Sequence, residues 1–303
     1  MSASSPAPYQ DPAQGDLILR TSDGIQYHVL QRRLADVSPV FSNIFLRLSP
    51  LSEGEELEEP VVDVSEPSCA WIKVLPLVYN AKEPDLSLED IGNVIGITKT
   101  YRMEGVQSRM RTHLLGRNFV DTDPHTVYLL ACAGGFEDIA RIAARAWTLY
   151  VPNKLPETSA YDAVSGRTIY RLLEYRRRCA QAAVAAIKVS SFTLNDQTKW
   201  LADVIPRHCG SKSCLQISFG GRKMPQDSLT TNYYWFSELD LLVQCLGSNL
   251  SPLIPNVDRL SRRRTERSNC LFCQSSMFDN AQRFDKALEH KIAEVVSQVE
   301  LEF

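Results

Sequence analysis

The 303-residue chain has no apolar run long enough to cross a bilayer. Its longest nearly apolar stretch, Val127 to Phe136, is far short of the ~20 residues a spanning helix needs. Neither sign of charge is in excess. Lys plus Arg number 33 and Asp plus Glu 36, a net −3, so no strong attraction to nucleic acid or anionic membrane is expected. The opening Met1-Ser-Ala-Ser-Ser-Pro-Ala-Pro has neither a basic residue nor an apolar core, and no secretory signal is read there. Cysteine is thin. Eight in 303 residues exclude a disulfide scaffold, and without a signal the thiols are expected reduced. Enzyme fingerprints are missing too: no G-x-G-x-x-G, no P-loop, no G-x-S-x-G elbow, and none of five histidines near a nucleophile in a known spacing. No catalytic residue is assigned, and a non-enzymatic intracellular protein of cytoplasm or nucleus is expected.

What is present is the composition of a folded protein. With 44% hydrophobic and 23% charged residues wholesale disorder is excluded. At roughly 150 residues per domain the length calls for two domains, or one with an extension.

Residues 1–15, rich in Ser, Pro, Gln and Ala, read as a disordered tail. Two apolar runs then flank Asp23-Gly24, the dipeptide of a tight hairpin. A short helix is predicted over Leu30 to Ala35. Ser38-Pro39 caps and opens another through Phe45. Ser52 to Glu59, with five glutamates, reads as an acidic loop, and Pro60 to Val64 as a short strand. Pro67 to Tyr79 is predicted helical, with Pro76 an obstacle. Ser87-Leu-Glu-Asp90 is a capping box opening a helix. Met103, Val106, Met110 and Leu114 mark one face of the next.

The middle third reads as helical. Asp123-Pro124 starts one helix, Gly134-Gly135 breaks it, and Phe136 to Tyr150 resumes, with Ala140, Ala143, Ala144 and Ala146 allowing close packing. Ser165 to Lys188 reads as one long helix with Ile169, Leu172, Leu173 and Tyr175 on its apolar side. Its Arg176-Arg177-Arg178 run reads as a solvated face. Near the end, Phe284, Leu288, Ile292, Val295 and Val299 trace the stripe of a final amphipathic helix.

Two cysteine pairs carry the sharpest chemical signal. Cys270-x2-Cys273 is the spacing by which two thiolates from one tight loop reach a single metal, and Cys209-x4-Cys214 is wider but allowed. Four thiolates in tetrahedral array at about 2.3 Å suit Zn2+, and a closed site of that kind is structural. The pairs are 55 residues apart, so one metal would join two distant segments. His208 beside Cys209 is an alternative ligand. The other reading is four ordinary thiols. A redox C-x-x-C is disfavoured because no βαβ context precedes it. Arg259, Arg262, Arg263, Arg264 and Arg267, just before Cys270, invite a nucleic-acid or nuclear reading. Without a finger helix or interleaved aromatics they read better as a solvated linker.

Asp16-Leu-Ile-Leu before Asp23-Gly24, Ser38-Pro-Val-Phe41 with Ile44-Phe45, Leu77-Val-Tyr-Asn80 and Tyr101-Arg-Met-Glu104 together resemble a BTB/POZ domain. Two departures stand out: Leu30-Gln31 replaces the family's usual His-Lys, and the proline-rich start offers no extra strand. The longer layout is similar to a basidiomycete group of BTB proteins with a helical continuation and a cysteine-paired C-terminal region. The resemblance implies an α+β fold: a BTB/POZ domain over 16–116, a helical extension over 117–190, and a C-terminal helical region with paired cysteines over 191–303, clasped by structural zinc. It also implies an adaptor or scaffold that binds other proteins through the BTB domain and forms a homodimer. Members that recruit a cullin-type ubiquitin ligase carry a hydrophobic-x-Glu element, which Leu51-Ser-Glu53 and Leu57-Glu-Glu59 resemble. That alternative makes the chain a ligase substrate receptor. A transcription-associated nuclear protein using the arginine cluster is a third reading.

Overall fold

The computed structural model describes residues 9, 11, 13, 15–48, 59–149, 155–188, 196, 198–201, 239–240, 242–244 and 271–303, the last segment with side chains from 282 onward. The fold is α+β: a small sheet and many helices. Among the described residues no helix is long and apolar enough to cross a membrane.

Strand β1 (Leu17–Arg20) alternates buried Leu17 and Leu19 with more exposed Ile18 and Arg20, the period-two pattern of a sheet with one covered face. Gly24, at φ 81°, turns the chain into β2 (Gln26–Val29), which pairs antiparallel with Leu17 opposite Val29 and Leu19 opposite Tyr27. Glycine takes that left-handed conformation without the steric cost other residues meet. Helices α1 (Gln31–Val37) and α2 (Pro39–Leu48) follow. Strand β3 (Val61–Asp63) then lies parallel to β1, giving the order β2-β1-β3. A parallel neighbour needs a crossover connection, and it contains α1 and α2. On the solvent side the sheet is tied by Arg20, whose Nη2 donates to Asp63 Oδ2 at 2.8 Å.

Helix α3 (Ser68–Val78) carries Pro76 in its last turn, where the missing N–H removes one intrahelical hydrogen bond. Both bonds of the expected capping box open α4 (Leu88–Thr100): Asp90 N donates to Ser87 Oγ, and Ser87 N to Asp90 Oδ2. In α5 (Glu104–Leu115) the side chains of Val106, Met110 and Leu114 are buried, as is Met103 before it. A short α6 (Phe119–Thr122) leads to α7 (Pro124–Gly134), capped by Asp123, which accepts from Thr126 N at 3.1 Å. The longest apolar run of the sequence is this helix. It is covered on nearly every side: Val127, Tyr128, Leu129, Leu130 and Ala131 are all at most 1% exposed, as expected for a helix apolar all round. Gly92 of α4 lets α7 approach, because a Cβ there would sit 3.1 Å from Leu130 Cδ2. Helix α8 (Glu137–Leu149), a 3-10 turn (Ser159–Ala163), α9 (Gly166–Ile187) and α10 (Leu271–Ser297) complete the described elements.

The chain divides into two compact units, 1–143 with 156–168, and 144–155 with 169–303. The first therefore runs past residue 116, through α7 and into α8. Its amino-terminal stretch, read as a tail with little to bury, is anchored at Tyr9. Tyr9 places its ring 5.1 Å from that of Tyr79 and its carbonyl accepts from His28 N.

In the second unit, α9 buries Leu172, Tyr175, Cys179, Ala183 and Ile187. Leu173, expected on the apolar side, is 45% exposed, because the buried face repeats at three and four residues from Leu172 and passes it by. The same phase operates in α10, where Phe284, Leu288 and Ile292 are buried and Val296, not Val295, continues the stripe. The indole of Trp200 stacks on Phe284 at 6.5 Å and its Nε1 donates to Ala186 O at 2.9 Å.

Candidate functional site

The core of the first unit is organised by rings. Ser38 accepts at Oγ from Phe41 N, the expected cap, and donates the hydroxyl to Tyr101 O. One residue thereby starts α2 and ties it to the end of α4. Phe41 then stacks on Tyr101 with centroids 4.6 Å apart, lies 5.8 Å from Phe45, and meets Trp71 of α3 edge-on at 6.0 Å. Tyr101 donates to Glu66 Oε2 at 3.1 Å, and burial raises its phenol well above the ordinary value.

The β1–β2 turn is fastened to α3 through Asp23. Its carboxylate accepts from Ser68 N at 3.0 Å, from Ser68 Oγ at 2.6 Å and from Thr21 Oγ1 at 2.5 Å. Those bonds favour the ionised form and hold the group at about 2, Ser68 contributing most.

A cleft of about 720 Å3 opens between the α1–α2 corner, the end of α3 and the start of α5, lined in part by Val37, Ser42, Leu77, Asn80, Arg102 and Arg109. Asn80 and Arg102 hold left-handed backbone at φ 50° and 53°. Arg109 spans the wall: Nη1 donates to Leu77 O and Nε to Glu83 Oε1, both at 2.9 Å. Glu83 also faces His113 Nε2 at 3.1 Å. Its carboxyl is lowered, first by the bond from Arg109.

Of the residues read as partner-binding, Leu51, Glu53 and Leu57 lie outside the described residues. Glu59 is described, and its Oε2 is 3.2 Å from His28 Nδ1. An acid in that run is thus engaged within the chain.

Of the four proposed metal ligands, Cys209, Cys214 and Cys270 lie outside the described residues, as does His208. The backbone at Cys273 is helical: α10 begins at Leu271, so Cys273 belongs to a helix rather than to the tight loop expected of the pair. Among the described residues no group of three or more His, Cys, Asp or Glu is placed to hold a metal. The other described cysteines are separate. Cys69 is exposed, Cys132 partly covered, and Cys179 buried, its thiol pushed up to about 11 by burial.

The arginine run of α9 is not one solvated face. Arg177 is, pairing with Glu174. Arg178 donates through Nη1 to Glu302 Oε1 at 2.8 Å and through Nη2 to Glu300 O at 2.9 Å. Arg176 turns inward, its guanidinium 4.8 Å above the ring of Trp147, where burial lowers its pKa. The signal was in the spacing. Residue 176 is four after Leu172 and three before Cys179, hence on the buried face.

Compared with models of known protein families, with curated proteins and with solved structures, the chain matches none.

Proposed function

We propose that the chain is a protein–protein interaction adaptor and that its first unit is a docking module of BTB/POZ type. The observation that carries this reading is the order of elements. A hairpin, two helices, a strand returning parallel beside β1, and then α3, α4 and α5 is the order that the resemblance over Asp16 to Leu115 implies. The chemistry of the surface supports the same reading. Polar groups there are paired with one another, as in Arg109–Glu83, Arg20–Asp63 and His28–Glu59. Leu46 of α2, by contrast, stands 73% exposed. Docking by such a surface draws on apolar burial rather than on a reacting group. No observation favours the cullin reading, since Glu59 is engaged by His28.

The test uses purified components. A partner recovered with the full chain is identified and rebound to it, and Leu46→Asp is expected to weaken the complex tenfold or more, the effect of losing an apolar anchor worth about 1.4 kcal/mol. Circular dichroism checks that the variant stays folded. A hydrolase or transferase turnover abolished by one substitution would overturn the adaptor reading. Co-purification with a cullin, lost in Glu59→Lys, would replace it with that of a ligase receptor.

We propose also that Cys209, Cys214, Cys270 and Cys273 hold one structural Zn2+. The spacing of the two pairs supports this.

A further inference from the structure

Within the first unit, residues 156–165 pass over α4 and α7 as a strap built around the 3-10 turn. Ala160 is buried, Pro156, Thr158, Tyr161 and Val164 are half-buried, and Glu157, Ser159, Asp162 and Ala163 are exposed. Under it lies a cleft of about 610 Å3 lined in part by Leu88, Gly92, Asn93, Leu130 and Thr158. A segment with so few buried apolar contacts is drawn from the low end of local stability. Its far end is pinned where Tyr128 Oη donates to Thr168 O at 3.1 Å.

The aromatic side chain of the strap, Tyr161, rests on His125. Their ring centroids are 5.5 Å apart, and Tyr161 Oη is 3.4 Å from His125 Nε2. His125 is 1% exposed and is the second residue of α7, at the positive end of the helix dipole. Asp123, the cap of the same helix, favours a proton on the ring. Burial opposes it and prevails, so His125 titrates below its ordinary value. Other polar and charged groups stand around α7. Glu89 of α4, with Glu157 and Asp162 of the strap, lines the adjoining cleft. Lys99 of α4 and Gln107 of α5 reach the opposite end of α7, at Ala133 O and Gly134 O.

We propose that His125 is an acid-sensitive latch: the neutral imidazole keeps the strap seated through Tyr161, and protonation releases it and bares Leu130 on the α4–α7 face. A released His125 is solvated and takes its ordinary value, about 6.5. The seated state then binds fewer protons than the released one at any pH below that. Seating is therefore fully favoured above about 6.5. It weakens as the pH falls from there toward the lowered value of the seated ring, by up to about tenfold in the released-to-seated ratio per pH unit.

The experiment is hydrogen exchange on the full chain at pH 7.5, 6.5 and 5.5, corrected for intrinsic rates, comparing peptides over 156–165 with those over α3. Strap protection is expected to fall by up to about fivefold between the two lower values while α3 is unchanged, and His125→Gln is expected to remove that dependence. Ring NMR of the unsubstituted chain gives a second readout, with the His125 resonance titrating below 6.5 in step with that of Tyr161. Equal strap protection at 6.5 and 5.5, the same pH response in His125→Gln, or an ordinary His125 titration would each overturn the latch.

Discussion

Phe41 is where the first unit should be most sensitive. Its side chain is fully buried and touches three rings: stacked on Tyr101, near-parallel to Phe45 and edge-on to Trp71. Truncating a buried Phe to Ala costs about 3–5 kcal/mol through lost transfer energy and the cavity left behind. Ring pairs of this geometry add about 0.5–1.5 kcal/mol beyond area burial. Phe41→Ala therefore belongs at the top of the range, about 4–5 kcal/mol, against a total that for whole domains is only about 5–15 kcal/mol. Phe41→Leu keeps most of the volume and loses the rings, so about 1–2 kcal/mol is expected. With a urea slope of about 2 kcal/mol/M, the midpoints should move down by about 2 M and by about 0.5–1 M. Pulsed hydrogen exchange along a urea series, read on peptides from α3 and α4, follows this unit by itself. If the Phe41→Leu midpoint stayed within about 0.2 M of the parent's, the rings would not be the organising contact and the reasoning would fail.

Two further outcomes are expected. The Asp23 carboxyl, held at about 2 by Ser68 and Thr21, lies below its ordinary value of about 3.9. The ionised turn thus contributes stability above about 3.9 that is lost as the pH falls through about 2. A carbon-detected NMR titration should place its midpoint near 2, and Ser68→Ala should raise it; a midpoint near 4 in the parent would refute this. Elemental analysis should find close to one zinc per chain, lost in Cys270→Ser together with protection in the last third but not in β1 to α5. A metal content near zero would refute the shared site.

Much of the first unit was legible because its boundaries are chemical and local. Asp23-Gly24 can hardly do anything but turn, Ser38-Pro39 and Asp123-Pro124 each supply a cap and a fixed φ, and Ser87 with Asp90 satisfies two orphan N–H groups at once. Long-range partners leave no such local mark. That Val61 pairs parallel with Ile18, that Tyr9 settles on Tyr79, and that His28 engages Glu59 are decided by what the rest of the chain brings alongside. The candidate site was less legible for the same reason. Glu59 reads as one acid in a run, and its neighbour in space is thirty-one residues away.

The arginines of α9 show why a run of like charge inside a helix is a poor guide to its environment. Successive residues are rotated by roughly 100°, so three arginines in a row must point to three different surroundings. One faces solvent and pairs with Glu174 three residues back; one reaches the segment after α10; one is carried onto the buried face. Burying Arg176 carries a desolvation cost, and Nη2 is buried with no hydrogen-bond partner among the described residues. The indole face of Trp147 offsets part of that cost by cation–π attraction. The positive charge that a count of the run assigns to one surface is thus divided among an ion pair, a clasp and an aromatic face.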